Sequence, residues 1–275
     1  MSGARIHDRV SVHSICFPAA GVDELFHLWT KLRTKRVSFS SGQLSDHDPE
    51  AVRARLTAAG FVAETLTHVF RPGTLSSRRD DIRHDREALS RAIAMAAAIG
   101  AGSIYMLTGG RGALSWEAAA DIFAEAIEPC RAEARDAGVV LSIENATAFY
   151  ADLHLGNNLR DTILLAERAG IGVNIDIFAG WTEAGLHELV ARALPICCLI
   201  QVSDYVYGDR GLPCRAVPGD GAIPLKPIIA QALDAGYAGA FDLELIGPRI
   251  DAEGQLEAVG RAAGNVGQML RELGV

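Results

Sequence analysis

Short apolar, strand-like runs alternate with amphipathic, helix-like segments along almost the whole of the 275-residue chain. The eight runs read RVSVHSICF, RVSFSS, FVAETLTHVF, SIYMLTG, VVLSIEN, IGVNID, CCLIQ and FDLEL. Alanine-rich segments with helical periodicity separate them. Because a helix between two strands brings the strands together in parallel, the pattern predicts one (β/α)8 TIM-barrel domain over residues 1–275.

The local signals refine this prediction. Asp48 and Pro49 are typical of a helix start, and Gly60 of its end. The mixed-charge stretch Arg78–Arg86 predicts a solvated loop, with the next helix at DREALSRAIAMAAAIGA, whereas AEGQLEAVGRAAGNVGQMLRELG predicts one closing helix. An open doubly wound sheet is the alternative fold, but no strand is followed directly by a Gly-x-Gly-x-x-Gly turn, and the closest match, Gly109-Gly-Arg-Gly112, is a weak dinucleotide signal.

Composition narrows the range of partners and compartments. A formal charge of −8 disfavours nucleic acid and anionic membranes as partners. The five cysteines lack Cys-x-x-Cys spacing, which indicates a reducing compartment. The N-terminus MSGARIHDRVSVHS has no signal-peptide-like apolar stretch, and no window is long and apolar enough to span a membrane. We therefore expect a cytoplasmic protein with a small-molecule substrate.

Four polar residues stand at the ends of the last four runs: Glu144, Asp176, Gln201 and Glu244. In a parallel barrel these ends meet at one mouth, where such barrels carry their active sites. Three carboxylates and a carboxamide, without cysteine or histidine, suit Mn²⁺ or Mg²⁺ better than zinc. The sequence therefore predicts a divalent-metal site with these four residues as ligands, Asp204 and Asp242 being nearby carboxylates for supporting hydrogen bonds.

The motifs around these residues resemble those of the xylose-isomerase-like barrel superfamily of sugar phosphate isomerases and epimerases. The shared features are Glu144 followed by asparagine, Asp176, the segment Gln201-Val-Ser-Asp204, a Gly-Tyr-Ala-Gly turn before Glu244, and an arginine and glycine-rich loop at 215–221. The resemblance covers nearly the whole chain and is clearest from GVVLSIEN onward. It implies a metal-dependent enzyme whose ligands are the four residues above.

Two positions depart from the family pattern. Gln201 stands where the family usually has a histidine, and Ala179 stands where a second histidine commonly helps to hold a substrate oxygen. A glutamine carbonyl makes the predicted site harder and favours Mn²⁺, Mg²⁺ or Co²⁺. A glutamine at this position is also similar to the pattern of the 3-dehydroshikimate dehydratase branch. The two departures together leave the identity of the substrate open.

The ligand set predicts enolisation chemistry: a divalent ion that chelates neighbouring carbonyl and hydroxyl oxygens acidifies the C–H bond between them. The resemblance implies that Glu144 and Glu244 act on opposite faces of the sugar carbon, as base and acid. His68 is a further acid/base candidate. Substrate-binding candidates are His13, Arg215 as an oxygen or carboxylate clamp, and Trp181 as the floor for a sugar ring.

The predicted activity is therefore isomerisation or epimerisation of a keto-sugar or polyol. Dehydration of a cyclic polyhydroxy ketone is the rival reaction, because it begins with the same proton abstraction. A barrel that binds metal or sugar without turnover is the alternative of another class, whereas the histidine-rich apurinic endonucleases fit poorly. A homodimer or homotetramer is expected by the same resemblance.

Overall fold

The computed structural model describes residues 6–275; residues 1–5, part of the N-terminal segment in which no signal-peptide-like stretch is expected, lie outside the described range. Eight parallel strands form one closed barrel in sequence order, and β8 pairs with β1. This confirms the TIM-barrel prediction and excludes the open sheet. The strands are β1 Val10–His13, β2 Arg36–Ser40, β3 Val62–Val69, β4 Ser103–Leu107, β5 Val140–Glu144, β6 Gly172–Asp176, β7 Cys197–Val202 and β8 Phe241–Leu243.

Helices surround the barrel, and their ends follow the sequence signals. The Asp48 side chain accepts the backbone N–H of Ala51 at 2.9 Å, and Gly60 ends that helix with a φ of 71°. The helices are α1 Val22–Leu32, α2 Ser41–Leu44, α3 Pro49–Ala59, α4 Arg79–Ile99, α5 Trp116–Asp136, α6 Leu159–Ala169, α7 Ile177–Gly180, α8 Leu186–Ala193, α9 Leu225–Asp234, α10 Pro248–Glu253 and α11 Gln255–Glu272.

Three local predictions were wrong. The first strand stops at His13, because residues 14–16 turn into a short 3-10 helix in which the His13 ring caps the Ile15 N–H. The predicted loop at 78–86 is largely the start of α4, where Asp80 and Asp81 favour the positive end of the helix dipole. The closing helix is two helices, because Gly254 breaks it with a φ of 98°.

The hydrophobic core lies mainly between the strands and the helices, whereas the inside of the barrel is largely polar. Ser11, Ser38 and Asp242 form a buried hydrogen-bonded group inside it. Thr65 and Ser103 form another such pair. The polar interior supports the side chains at the C-terminal mouth. Among the described residues, no helix has the length and apolar content needed to cross a bilayer.

Candidate metal centre and active site

Three of the predicted ligands meet at the C-terminal mouth of the barrel. Glu144, Asp176 and Glu244 each offer a carboxylate oxygen, and these oxygens lie within 4.8 Å of one another. All three side chains are buried. They line a cavity of about 160 Å³ that Arg215 and Tyr150 also line. Larger clefts, of about 820 and 780 Å³, lie away from the strand ends and contain none of these carboxylates.

Arg215 supplies positive charge to the cluster. Its guanidinium binds both oxygens of Asp176, with Nη1–Oδ1 at 3.2 Å and Nη2–Oδ2 at 2.8 Å, and Nη2 is 3.3 Å from Oε1 of Glu244. It also donates to the Ser203 hydroxyl at 2.9 Å. The surrounding carboxylates raise the pKa of Arg215 despite its burial, so this group stays charged.

The loop that carries Arg215 is fastened to the barrel by Asp204. Asp204 and Ala216 exchange two backbone hydrogen bonds, and the Asp204 carboxylate accepts the backbone N–H groups of Gly219, Gly221 and Ile223. A Cβ atom on Gly221 would stand 2.4 Å from Asp204 Oδ1, so only glycine permits this approach. The glycine-rich loop noted in the sequence therefore positions Arg215.

Glu144 is the carboxylate that the protein leaves unsatisfied. Among the residues from 6 to 275, no hydrogen bond or ion pair engages its side chain. Burial, followed by the charges of Glu244 and Asp176, raises its pKa well above the usual range. Burial likewise raises the pKa of Glu244 to about 7, although Arg215 opposes that shift.

These features fit a divalent cation. Three carboxylates against one guanidinium leave two negative charges in excess when all are ionised. Buried charges of one sign are costly unless a cation pairs with them. The donor set consists of hard oxygens, which Mg²⁺ and Mn²⁺ prefer. The acidic triad Glu144, Asp176 and Glu244 is therefore a candidate divalent-metal site.

Gln201 lies beside the triad but turns its carbonyl away from it. Its Nε2 donates to Glu244 Oε2 at 2.5 Å and to the Tyr105 hydroxyl at 3.0 Å, whereas its Oε1 accepts from Asn174 Nδ2 at 2.7 Å. In this orientation Gln201 positions Glu244. Ligation of a metal by its carbonyl requires the amide to turn over, so the fourth ligand remains a prediction.

His13 is inside the barrel, one layer removed from the carboxylates. Its Nδ1 accepts the Ile15 N–H, so Nε2 carries the proton and lies 2.7 Å from the Thr67 hydroxyl and 3.2 Å from that of Tyr105. Burial lowers the pKa of His13 to about 3. Hydrogen bonds through Tyr105 and Gln201 connect His13 to Glu244. This position suits a residue that supports Glu244 better than one that contacts the substrate.

His68 and Trp181 are not brought to the carboxylates. Thr67 points into the barrel, so the next residue, His68, points outward, where its Nδ1 lies 2.9 Å from the Ser41 hydroxyl. Burial lowers the pKa of His68 to about 4. Trp181 follows α7 and lines a neighbouring cavity beside Tyr205.

Two positioning residues were missed in the sequence. The Asn145 amide binds both backbone groups of Asp176, Nδ2 to its oxygen at 2.9 Å and Oδ1 to its N–H at 2.8 Å. His154 is fully buried, and its Nε2 donates to the Glu144 carbonyl oxygen at 2.6 Å. The asparagine that follows Glu144 was a usable signal for the first, whereas a histidine in a loop gave none for the second.

Asp242 lies below Glu244 and gives a first prediction. Ser38 donates to its Oδ1 at 2.9 Å, its Oδ2 is buried without a partner among residues 6–275, and burial raises its pKa to about 7. A carboxyl whose pKa is raised by folding binds more protons in the native state, so stability falls as pH rises from about 4 to 7. We expect Asp242→Asn to flatten this fall and to stabilise the metal-free protein by roughly 1–3 kcal/mol at pH 8.

Urea denaturation at pH 5 and pH 8 measures this effect. Asp234→Asn, on the exposed end of α9, is the matched control and is expected to leave the pH dependence unchanged. Equal pH dependence in wild type and Asp242→Asn would contradict the assignment.

Comparison with known proteins places this chain in a family. The xylose isomerase-like TIM barrel family matches residues 21–264 of the chain. No curated protein sequence matches it. The chain therefore belongs to the xylose isomerase-like TIM barrel family.

Solved structures share the fold at low sequence identity. SMc04130 from Sinorhizobium meliloti 1021 is 22% identical, with a TM-score of 0.82 over 97% of this chain and 98% of that one. The IolI protein with a bound zinc atom is 12% identical, with a TM-score of 0.81 over 96% and 99%. D-psicose 3-epimerase from Clostridium cellulolyticum H10, solved with D-tagatose, is 14% identical, with a TM-score of 0.76 over 94% and 98%.

Proposed function

We propose that this protein is a divalent-metal-dependent isomerase or epimerase of a keto-sugar or polyol, and that it acts by proton abstraction next to a carbonyl through an enediolate. The observation that carries the proposal is the buried convergence of Glu144, Asp176 and Glu244 at the barrel mouth. Family membership and the fold shared with a sugar epimerase support it. Carbohydrate metabolism is the corresponding cellular role.

Glu144 and Glu244 are the proposed proton-transfer groups. Glu144 has no hydrogen-bond or ion-pair partner among the described side chains, so its oxygens are free to face a substrate carbon. Its raised pKa favours the protonated form, and the proposed cation beside it would keep it ionised as the base. The pKa of Glu244, about 7, allows that group to give or accept a proton near neutrality. Gln201 and Arg215 fix the orientation of Glu244, and Arg215 is the proposed clamp for a substrate oxygen.

Glu144, Asp176 and Glu244 are the proposed metal ligands, with Gln201 as the fourth once its amide turns over and gives up its hydrogen bond to Glu244. Mn²⁺ is the proposed ion because the donors are all hard oxygens, with Mg²⁺ or Co²⁺ as substitutes. The zinc in the IolI structure shows that one barrel of this fold holds a divalent ion. When bound, such an ion supplies Lewis-acid polarisation of a substrate carbonyl.

The proposal predicts divalent-ion-dependent hydrogen exchange. The purified protein is incubated in D₂O with D-psicose, D-fructose, an inosose and 3-dehydroshikimate, and followed by NMR. With Mn²⁺ we expect deuterium next to the carbonyl of at least one sugar, and a rate at least tenfold lower after chelation with EDTA. Metal analysis is expected to find about one ion per chain.

The same experiment separates the rival reactions. Loss of water from a cyclic ketone would identify a dehydratase instead of an isomerase. Exchange that survives complete removal of the metal would contradict the metal requirement, and the absence of exchange in the whole panel would contradict the proposed activity. Histidine-poor carboxylate ligands and a net charge of −8 give no support to a nucleic-acid substrate. The homodimeric or homotetrameric state and the cytoplasmic location stay predictions.

A further inference from the structure

An aromatic pocket opens beside the carboxylate cavity. Trp181, Tyr205 and Tyr207 lie with ring centroids 6.2–6.3 Å apart, and Phe178 lies 6.1 Å from Tyr205. Phe149 lines this pocket and is 81% exposed, whereas Tyr207 packs beside Trp181 and Tyr205 outside the lining. Phe149 and Trp181 thus present aromatic surface to the same pocket.

The aromatic pocket is continuous with the proposed active site. Four residues, Thr147, Phe178, Leu212 and Cys214, line both cavities. The inner cavity has about 160 Å³, whereas the outer one has about 480 Å³. Ordinary ligand pockets have roughly 300–1,000 Å³, so the inner cavity holds only the reacting part of a ligand, and the outer one has room for a further ring.

The polar atoms of the pocket indicate what kind of ring fits. Thr147 Oγ1 and Asn157 Oδ1 are buried but have no hydrogen-bond partner in the part of the chain that the structure describes. Both residues line the outer pocket, and Thr147 stands where the two cavities meet. The amide oxygen of Asn157 and the hydroxyl of Thr147 can each accept an N–H or O–H group from a ligand. Aromatic faces next to such acceptors suit a sugar ring, which has an apolar C–H face and hydroxyl donors.

We infer that the aromatic pocket is a subsite for a second sugar ring, so that the substrate is a keto-sugar linked to another sugar and not a free monosaccharide. This inference rests on the proposed function for the identity of the first ring. The ketose end lies at Glu144 and Glu244, and the attached ring stacks on Trp181 and Phe149 and donates hydroxyl groups to Thr147 and Asn157.

The test is a binding measurement that does not require turnover. Saturation-transfer NMR with lactulose, a galactosyl-fructose, shows which of its rings contacts the protein, and titrations give the dissociation constants of lactulose and D-fructose. We expect saturation of both rings and at least tenfold tighter binding of lactulose. Phe149→Ala is expected to reduce that preference about tenfold, whereas Leu164→Ala, at a half-exposed position on α6, is expected to preserve it.

Several outcomes would overturn the subsite. These are equal affinities for the two sugars, saturation confined to the fructosyl ring, or no binding of either sugar. If Phe149→Ala changes the oligomeric mass without changing the sugar preference, the exposed ring contacts a second copy of the chain and the subsite is wrong. Lactulose binding without deuterium exchange would keep the subsite and refute the proposed reaction, so the two failures are distinguishable.

Discussion

Replacing Glu144 by glutamine is expected to lower deuterium exchange on the accepted sugar by at least about 10³-fold, because positioned acid–base groups contribute roughly 10²–10⁴-fold and this residue is also a proposed metal ligand. Glutamine keeps the volume of the side chain but cannot take a proton. The buried carboxylate also has a strongly raised pKa, so its loss removes an energetic cost from the folded state. The metal-free variant is therefore expected to be at least as stable as the wild type near neutral pH.

Two measurements check this pair of expectations. NMR in D₂O with saturating Mn²⁺ gives the exchange rate, and urea denaturation in EDTA gives the free energy of unfolding. Glu257→Gln, on the exposed first turn of α11, is a matched control that is expected to change neither. Full exchange in Glu144→Gln would remove Glu144 from the reaction. Lost exchange together with lost stability would indicate a structural role instead.

Replacing Arg215 by methionine is expected to destabilise the metal-free protein by about 3–5 kcal/mol at pH 8, because it leaves buried carboxylates without their cation. The direct partners are Asp176 and Glu244. Below pH 6 the loss of stability is expected to shrink. The raised pKa values of Glu144 and Glu244 allow both carboxylates to bind protons there, which removes their negative charge. Added Mn²⁺ is expected to stabilise Arg215→Met more than wild type.

The matched control is a surface arginine with a similar two-point contact. Arg192 binds both oxygens of Glu167, at 3.1 and 2.7 Å, but both side chains are more than 40% exposed. Exposed pairs contribute only about 0–1 kcal/mol, so Arg192→Met is expected to change stability by less than about 1 kcal/mol at either pH. If Arg215→Met behaved like Arg192→Met, the guanidinium would not be balancing the cluster.

The barrel was predictable because its signals are local and repeated. Each strand shows as a short apolar run, and several helix ends carry a cap, such as Asp48 and Gly60. The errors occurred where local signals conflict. The charged residues at the start of α4 predicted a loop, although acidic groups stabilise that end of a helix. The periodicity at the C-terminus predicted one helix, but Gly254 divides it into two.

At the site, the strand-end carboxylates were predictable but the orientations of several other side chains were not. Glu144, Asp176 and Glu244 meet because parallel strands end at one mouth. The outward orientation of His68 depends on the strand's register, and β2 and β3 are paired with a register shift between Val37 and Phe39. The amide orientation of Gln201 depends on Asn174, a contact between neighbouring strands that no spacing rule reveals.

Arg215 comes from the long loop between β7 and α9, not from the barrel itself. The guanidinium that balances the carboxylates is thus covalently part of the chain. Its effective concentration at the site does not change when the protein is diluted. An ion from solution that takes the oxygens of Asp176 competes with this resident charge. Ion affinity and the docking of the loop are therefore thermodynamically linked, and each changes the other by the same factor. We therefore expect the sequence of the loop to set the ion concentration at which the proposed metal site fills, without a change in any ligand.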